Sequence, residues 1–180
     1  MENKKYELLK EESINVYDIT LYRIKALKDF NNVKAGDLGG YIEKEENLSH
    51  EGNCWVSGNA RVYGNAYVYD NARVFGDARV YGNAEVFGNA IVYGNAYVSS
   101  NNDYCTIHGF GSENRVTTFF RNKVDDKYEI YVKCGCFEGN LEEFRQKVIE
   151  RHGHTLLAEE YLCVADLIEK RFKNRKVLGE

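Results

Sequence analysis

The chain has 180 residues, 43% hydrophobic and 29% charged, with a formal net charge of −4, which suits one folded domain or two small ones and not a disordered segment. It has no run of about 18 apolar residues to span a membrane, and MENKKYELLKEES at the start lacks the apolar core of a secretion signal. The acidic balance argues against binding duplex nucleic acid by phosphate neutralisation; five cysteines, an odd number, are expected as reduced thiols in the cytoplasm.

Residues 6–30 alternate as strands do, with Ile14 and Val16 and then Ile19 and Leu21 on one face. The stretch Lys34 to Glu43, rich in glycine, is expected to be a loop. Residues 1–45 are therefore predicted to form an N-terminal β cap.

From Gly52 to Ser99 the chain runs through eight hexads without a gap: GNCWVS, GNARVY, GNAYVY, DNARVF, GDARVY, GNAEVF, GNAIVY, GNAYVS. Valine recurs at 56, 62, 68, 74, 80, 86, 92 and 98, and two residues earlier stands Cys54 or an alanine. Alternation puts the small residue and the valine on one face and turns the residue between them outward. The Gly-Asn or Asp-Asn pair supplies a corner, because Gly, Asn and Asp tolerate turn dihedrals. A short strand and a corner, repeated, must coil. Three hexads close one triangular turn, and coils stack at the sheet spacing of roughly 4.8 Å. Ile42 and Leu48 fit the frame of the alanine position, and Cys105-Thr106-Ile107 repeats the pattern after a slip, so the coils are expected over residues 46–108.

Residues 109–180 read as a ββαα module. Val116–Phe120 and Tyr128–Lys133 form the hairpin. Asn140-Leu-Glu-Glu143 has the form of a capping box, Phe137, Leu141, Phe144 and Val148 follow helical spacing, and Gly153 stops the helix. A second helix carries Leu157, Tyr161, Val164, Ile168 and Phe172 on one stripe. The basic cluster Lys170, Arg171, Lys173, Arg175, Lys176 fits a helix end at the negative pole of its dipole.

The V-x-G-N-A-x period resembles the hexapeptide-repeat, left-handed parallel β-helix family, which implies a mainly β fold with that prism at its centre. The sequence is also similar to a group of phage and prophage proteins. The resembling stretches are LYRIKALKDFNNVKAGDLGGYIEKEENLSHEGNCWV, the GNA-x-V repeats, and GFGSENRVTTFF followed by CGCFEGNLEEF. This second resemblance implies a phage or prophage origin and carries no established chemistry. The first raises acyl transfer, which in that family uses a histidine base. His108 is the candidate, but no long loop leaves the middle of the coils to build such a site.

Cys134, Cys136, His152 and His154 form C-x-C…H-x-H, residue types that bind zinc, although a one-residue gap is tight for a shared ion. Stacking at 18 residues predicts three aromatic ladders, Tyr63–Tyr81, Tyr69–Phe87 and Phe75–Tyr93, and aromatics on every face point to a homotrimer that covers them. The loop His108-Gly-Phe-Gly-Ser-Glu-Asn-Arg115 offers backbone N–H groups, hydroxyls and a guanidinium fork for an anion. The expected ligand site is therefore His108, Gly109, Gly111, Ser112, Asn114, Arg115, Thr117 and Thr118, joined in the trimer by Arg61, Arg79 and Tyr81 of a neighbour. A small phosphorylated ligand such as a nucleotide fits this set; the alternatives are docking of a host protein and acyl transfer. No cofactor is implied.

Overall fold

All eight repeat valines are completely removed from solvent, and the alanines two residues before them are buried with them. This is the expected coil core, seen in a computed structural model that describes residues 4–173. The chain divides into two compact units, Met1–Asn101 and Asn102–Glu180. None of the described helices is long and apolar enough to cross a membrane.

The first unit begins with an antiparallel hairpin, β1 (Tyr6–Val16) and β2 (Ile19–Ala26), followed by β3 (Leu38–Ile42). Eight two-residue rungs come next: β4 (Trp55–Val56), β5 (Arg61–Val62), β6 (Tyr67–Val68), β7 (Arg73–Val74), β8 (Arg79–Val80), β9 (Glu85–Val86), β10 (Ile91–Val92) and β11 (Tyr97–Val98). They stack in parallel on three faces, ordered β3-β5-β8-β11, β4-β7-β10 and β6-β9. The first face continues through β2 and β1 as one six-stranded sheet. The hairpin thus covers one open end of the stack with pairing the coils would otherwise lack.

Two features of this unit depart from the sequence reading. The stretch expected as a loop contains the first rung, β3, with Tyr41 opposite Arg61 and Ile42 opposite Val62. Ile42 and Leu48 accordingly stand in the valine stack, Leu48 bridging Val68, and not in the alanine position. Two extra residues at the corner holding His50 and Glu51 shift the frame. The glycine pair in β3 is required by close approach: a Cβ at Gly39 would sit 2.4 Å from Ile24, and one at Gly40 2.6 Å from the Ala60 carbonyl.

The corners explain the asparagines. Asn53 donates to Asn71 at 3.0 Å and Asn65 to Asn83 at 3.1 Å, side chain to side chain across one coil. Asn59 donates likewise to Asp77. Where Asp70 replaces glycine it adopts φ 59° and accepts from the Gly88 N–H.

The end of the stack is closed by buried polar groups. Lys5, fully buried, donates its ammonium to the carbonyls of Glu51 (3.2 Å) and Cys54 (3.0 Å). Tyr6 donates to the Leu48 carbonyl at 2.7 Å, and its burial pushes the phenol far above its usual range. His50 stacks on Tyr6 at 4.3 Å and accepts the Lys5 backbone N–H at Nδ1. Burial holds the His50 imidazole below its ordinary 6.5, with Glu45 pulling the other way. A histidine whose native value is lowered supports the fold fully above 6.5 and withdraws that support as pH falls through 6.5 toward the native value. Urea midpoints at pH 7.5 and 5.5 should therefore differ more for the wild type than for His50→Asn, whose amide oxygen keeps the acceptor without titrating.

The second unit is a four-stranded antiparallel meander, β12 (Tyr104–Ile107), β13 (Thr117–Val124), β14 (Lys127–Cys134) and β15 (Phe137–Asn140), followed by α1 (Leu141–His152) and α2 (Leu156–Lys173). Cys105-Thr106-Ile107 is not a further coil; it pairs antiparallel with Phe119, Thr118 and Thr117. Phe137 lies in β15, not on the helix, though its ring meets Phe144 at 5.5 Å. The module therefore has four strands where two were expected. The Asn140 capping box and the Gly153 stop are both present. The core joins Phe119, Val132, Phe144, Tyr161, Ala165 and Phe172. Lys170, Arg171 and Lys173 end α2; Arg175 and Lys176 lie outside the described residues.

Candidate functional site

The loop after β12 folds back on α2 and closes a pocket of about 190 Å³ within the second unit. Gly111 makes the contact possible. At φ 72° it lies so close to the Tyr161 hydroxyl that a Cβ would come within 2.2 Å. Its N–H donates to Glu160 at 3.0 Å, and the next N–H, of Ser112, donates to the Tyr161 hydroxyl at 3.0 Å. The loop is pinned to one helical turn by these two backbone donors, and the Ser112 hydroxyl also lies 3.4 Å from the Tyr161 hydroxyl.

Ser112, Arg115 and Thr117 line the pocket from the loop side, facing Cys134, Cys136, Arg151 and His152. Arg115 lies along the β14–β15 turn, where a Cβ on Gly135 would stand 3.1 Å from Nη1, and it pairs with Glu113 at 3.0 Å. Thr117 donates to the Cys134 thiol at 3.1 Å. His152 stacks on Tyr161 at 5.5 Å and, with Arg151, occupies the last turn of α1, where positive charge complements the helix dipole. Two arginines, a histidine, two hydroxyl residues and the Glu113 carboxylate thus line a space of roughly six water volumes.

Of the other expected loop residues, His108, Gly109 and Asn114 are exposed outside the lining, and Thr118 is buried in β13. Arg61, Arg79 and Tyr81 belong to the first unit. Tyr81 stacks on Tyr63 at 5.3 Å, and Arg79 lies over Tyr97 at 4.9 Å. Burial and the neighbouring Tyr81 push Tyr63 up to about 12. All three predicted ladders are present, the others being Tyr69–Phe87 at 5.2 Å and Phe75–Tyr93 at 5.7 Å. The chain itself covers the first ladder, since Val16 and Leu21 pack on Tyr63.

Cys134, Cys136 and His152 meet at the pocket while His154 does not, and among the described residues no three potential ligands gather as a metal site. Sequence reasoning separated the C-x-C…H-x-H residues from the loop that they join. It also read Tyr161 only as core and gave no signal for Arg151.

Comparison with known proteins bears on the coils. A family model described as the YdcK beta solenoid repeat matches residues 56–70, 66–82 and 78–94. The chain is a β-solenoid repeat protein. A 60-residue stretch is 40% identical to an Escherichia coli (strain K12) protein named "Uncharacterized acetyltransferase YdcK". That match takes in 29% of this chain and only 18% of the relative's length. The solenoid repeat accounts for the coils and not for the pocket, which lies beyond the matched repeats.

Proposed function

We propose that this β-solenoid protein binds a small phosphorylated ligand through its anionic group in the pocket of the second unit, without turning it over. The observation that supports this reading is the convergence of Arg115, Arg151 and His152 with the Ser112 hydroxyl on one small cavity, where an anionic group would compete with Glu113 for Arg115. Arginine offers a planar fork to phosphate, and hydroxyls fill its remaining acceptor positions. The resemblance to phage and prophage proteins makes a nucleotide signal of an infected host the first ligand class to test, with sequestration as the outcome. Phe87 is 43% exposed, so the Tyr69–Phe87 ladder supports the homotrimer as part of this proposal.

Calorimetric titration with mono-, di- and cyclic nucleotides tests the reading. Arg115→Ala should weaken binding by about 1.5–3 kcal/mol, the worth of charged hydrogen bonds, with an unchanged circular dichroism spectrum. No heat from any of these ligands, or equal affinity in the variant, rejects it. A second reading, acetyl transfer, is favoured by the name of the Escherichia coli relative. His108, its candidate base, is exposed. Thiol release from acetyl-CoA that disappears in His108→Ala would establish that reading instead.

A further inference from the structure

A second cavity, of about 250 Å³, lies in the first unit, where the loop between β2 and β3 overhangs the solenoid face carrying β4 and β7. The loop is held rigidly. Phe30 and Val33 exchange backbone hydrogen bonds at 2.9–3.0 Å, Asp29 accepts from the Ala35 N–H, and Asp37 from the Lys34 N–H. The wall on the solenoid side is Trp55 and, directly across the rung, Arg73. Trp55 is 7% exposed, wedged edge-on against Phe30 at 5.3 Å.

The polar groups here have few partners. Asn31 and Asn32 make no side-chain hydrogen bond among the described residues, nor does the Trp55 indole N–H or the Ser57 hydroxyl. Asn53 spends its amide N–H on Asn71 and keeps its oxygen. Among the described residues Arg73 has no carboxylate within salt-bridge distance and lies over Phe75 at 5.7 Å; Asp37, whose carboxylate accepts the Lys34 N–H, is the one acidic residue of the lining. Val33 and Leu38, the latter 48% exposed, supply an apolar patch beside these groups.

We propose that this cleft binds a single sugar ring carrying one carboxylate. Paired amide donors and acceptors suit vicinal hydroxyls, which also donate and accept. The apolar patch suits the C–H face of the ring, and the unpaired Arg73 suits the carboxylate. A volume of roughly eight waters fits one ring and is too small for base, ribose and phosphate together. Trp55 presents no open ring face for a base to stack on. The site shares no residue with the pocket of the second unit.

Trp55 is the chain's single tryptophan, so its emission reports on this cleft alone. Titration with glucuronate, galacturonate, glucose, galactose and acetate at constant ionic strength, with saturation-transfer NMR as a second readout, tests the proposal. A uronate should bind saturably and at least tenfold more tightly than the neutral hexoses and acetate. Arg73→Ala should remove that preference without changing the melting temperature, and Arg115→Ala should leave it intact. Absence of binding by both readouts, acetate binding as tightly as the uronates, or an unaltered preference in Arg73→Ala overturns it.

Discussion

Replacing Val80 with aspartate should unfold the solenoid while leaving the second unit folded. Val80 lies between Val62 and Val98 on the face that runs on to Ile42, and all four are fully buried. A carboxylate there has no partner in a column of methyl groups. The cost of an unpaired buried charge, about 3–5 kcal/mol, approaches the whole stability of a small domain. Val80→Thr keeps the shape, adds one buried hydroxyl and should cost about 1–3 kcal/mol. Methyl NMR separates the units, because the valine stack belongs to one and Val132, Val148 and Ile168 to the other. A Val80→Asp protein with wild-type valine methyl signals would show that the stack is not the solenoid's core.

Lys5→Ala should cost about 3 kcal/mol, unusually much for a lysine. The carbonyls of Glu51 and Cys54 would lose a charged donor, and buried acceptors left unpaired carry a penalty of about 1–3 kcal/mol. The vacated stem would leave a cavity as well. Lys5→Met restores the packing and removes the expense of burying an ammonium, so it should lose clearly less than Lys5→Ala. Urea denaturation of the three proteins gives the order; equal midpoints for wild type and Lys5→Ala would mean that water replaces the ammonium without loss.

The six-residue period was legible because it is physical twice over. Each valine must point inward, and each corner must accept a left-handed residue followed by Asn or Asp, whose side chains bond from coil to coil at Asn53–Asn71, Asn59–Asp77 and Asn65–Asn83. The first rung was hidden because Gly39 and Gly40 suggest a loop, since glycine is disfavoured in strands. Here it serves the close approach of Ile24 and the Ala60 carbonyl. Tyr104–Ile107 and Phe137–Asn140 are four-residue strands whose alternation is too short to distinguish from a coil turn or a helix start. At the pocket, residue types were legible and adjacency was not. Ser112 and Tyr161 are 49 positions apart and meet through a backbone N–H, a contact that no side-chain pattern encodes. Lys5 gave no signal, because a lysine near an N-terminus reads as a solvated charge.

The continuous sheet through β1, β2, β3 and the rungs also orders events in time. A hairpin closes within microseconds, and this one turns tightly, with Val16 opposite Ile19. From β5 onward each rung then has only to close a loop of about one coil onto backbone already in place, a small and nearly constant entropic step. During synthesis the hairpin leaves the ribosome before any coil does. The solenoid can therefore grow as a zipper from a primed end, one coil of three rungs for every 18 residues translated, without waiting for the rest of the chain.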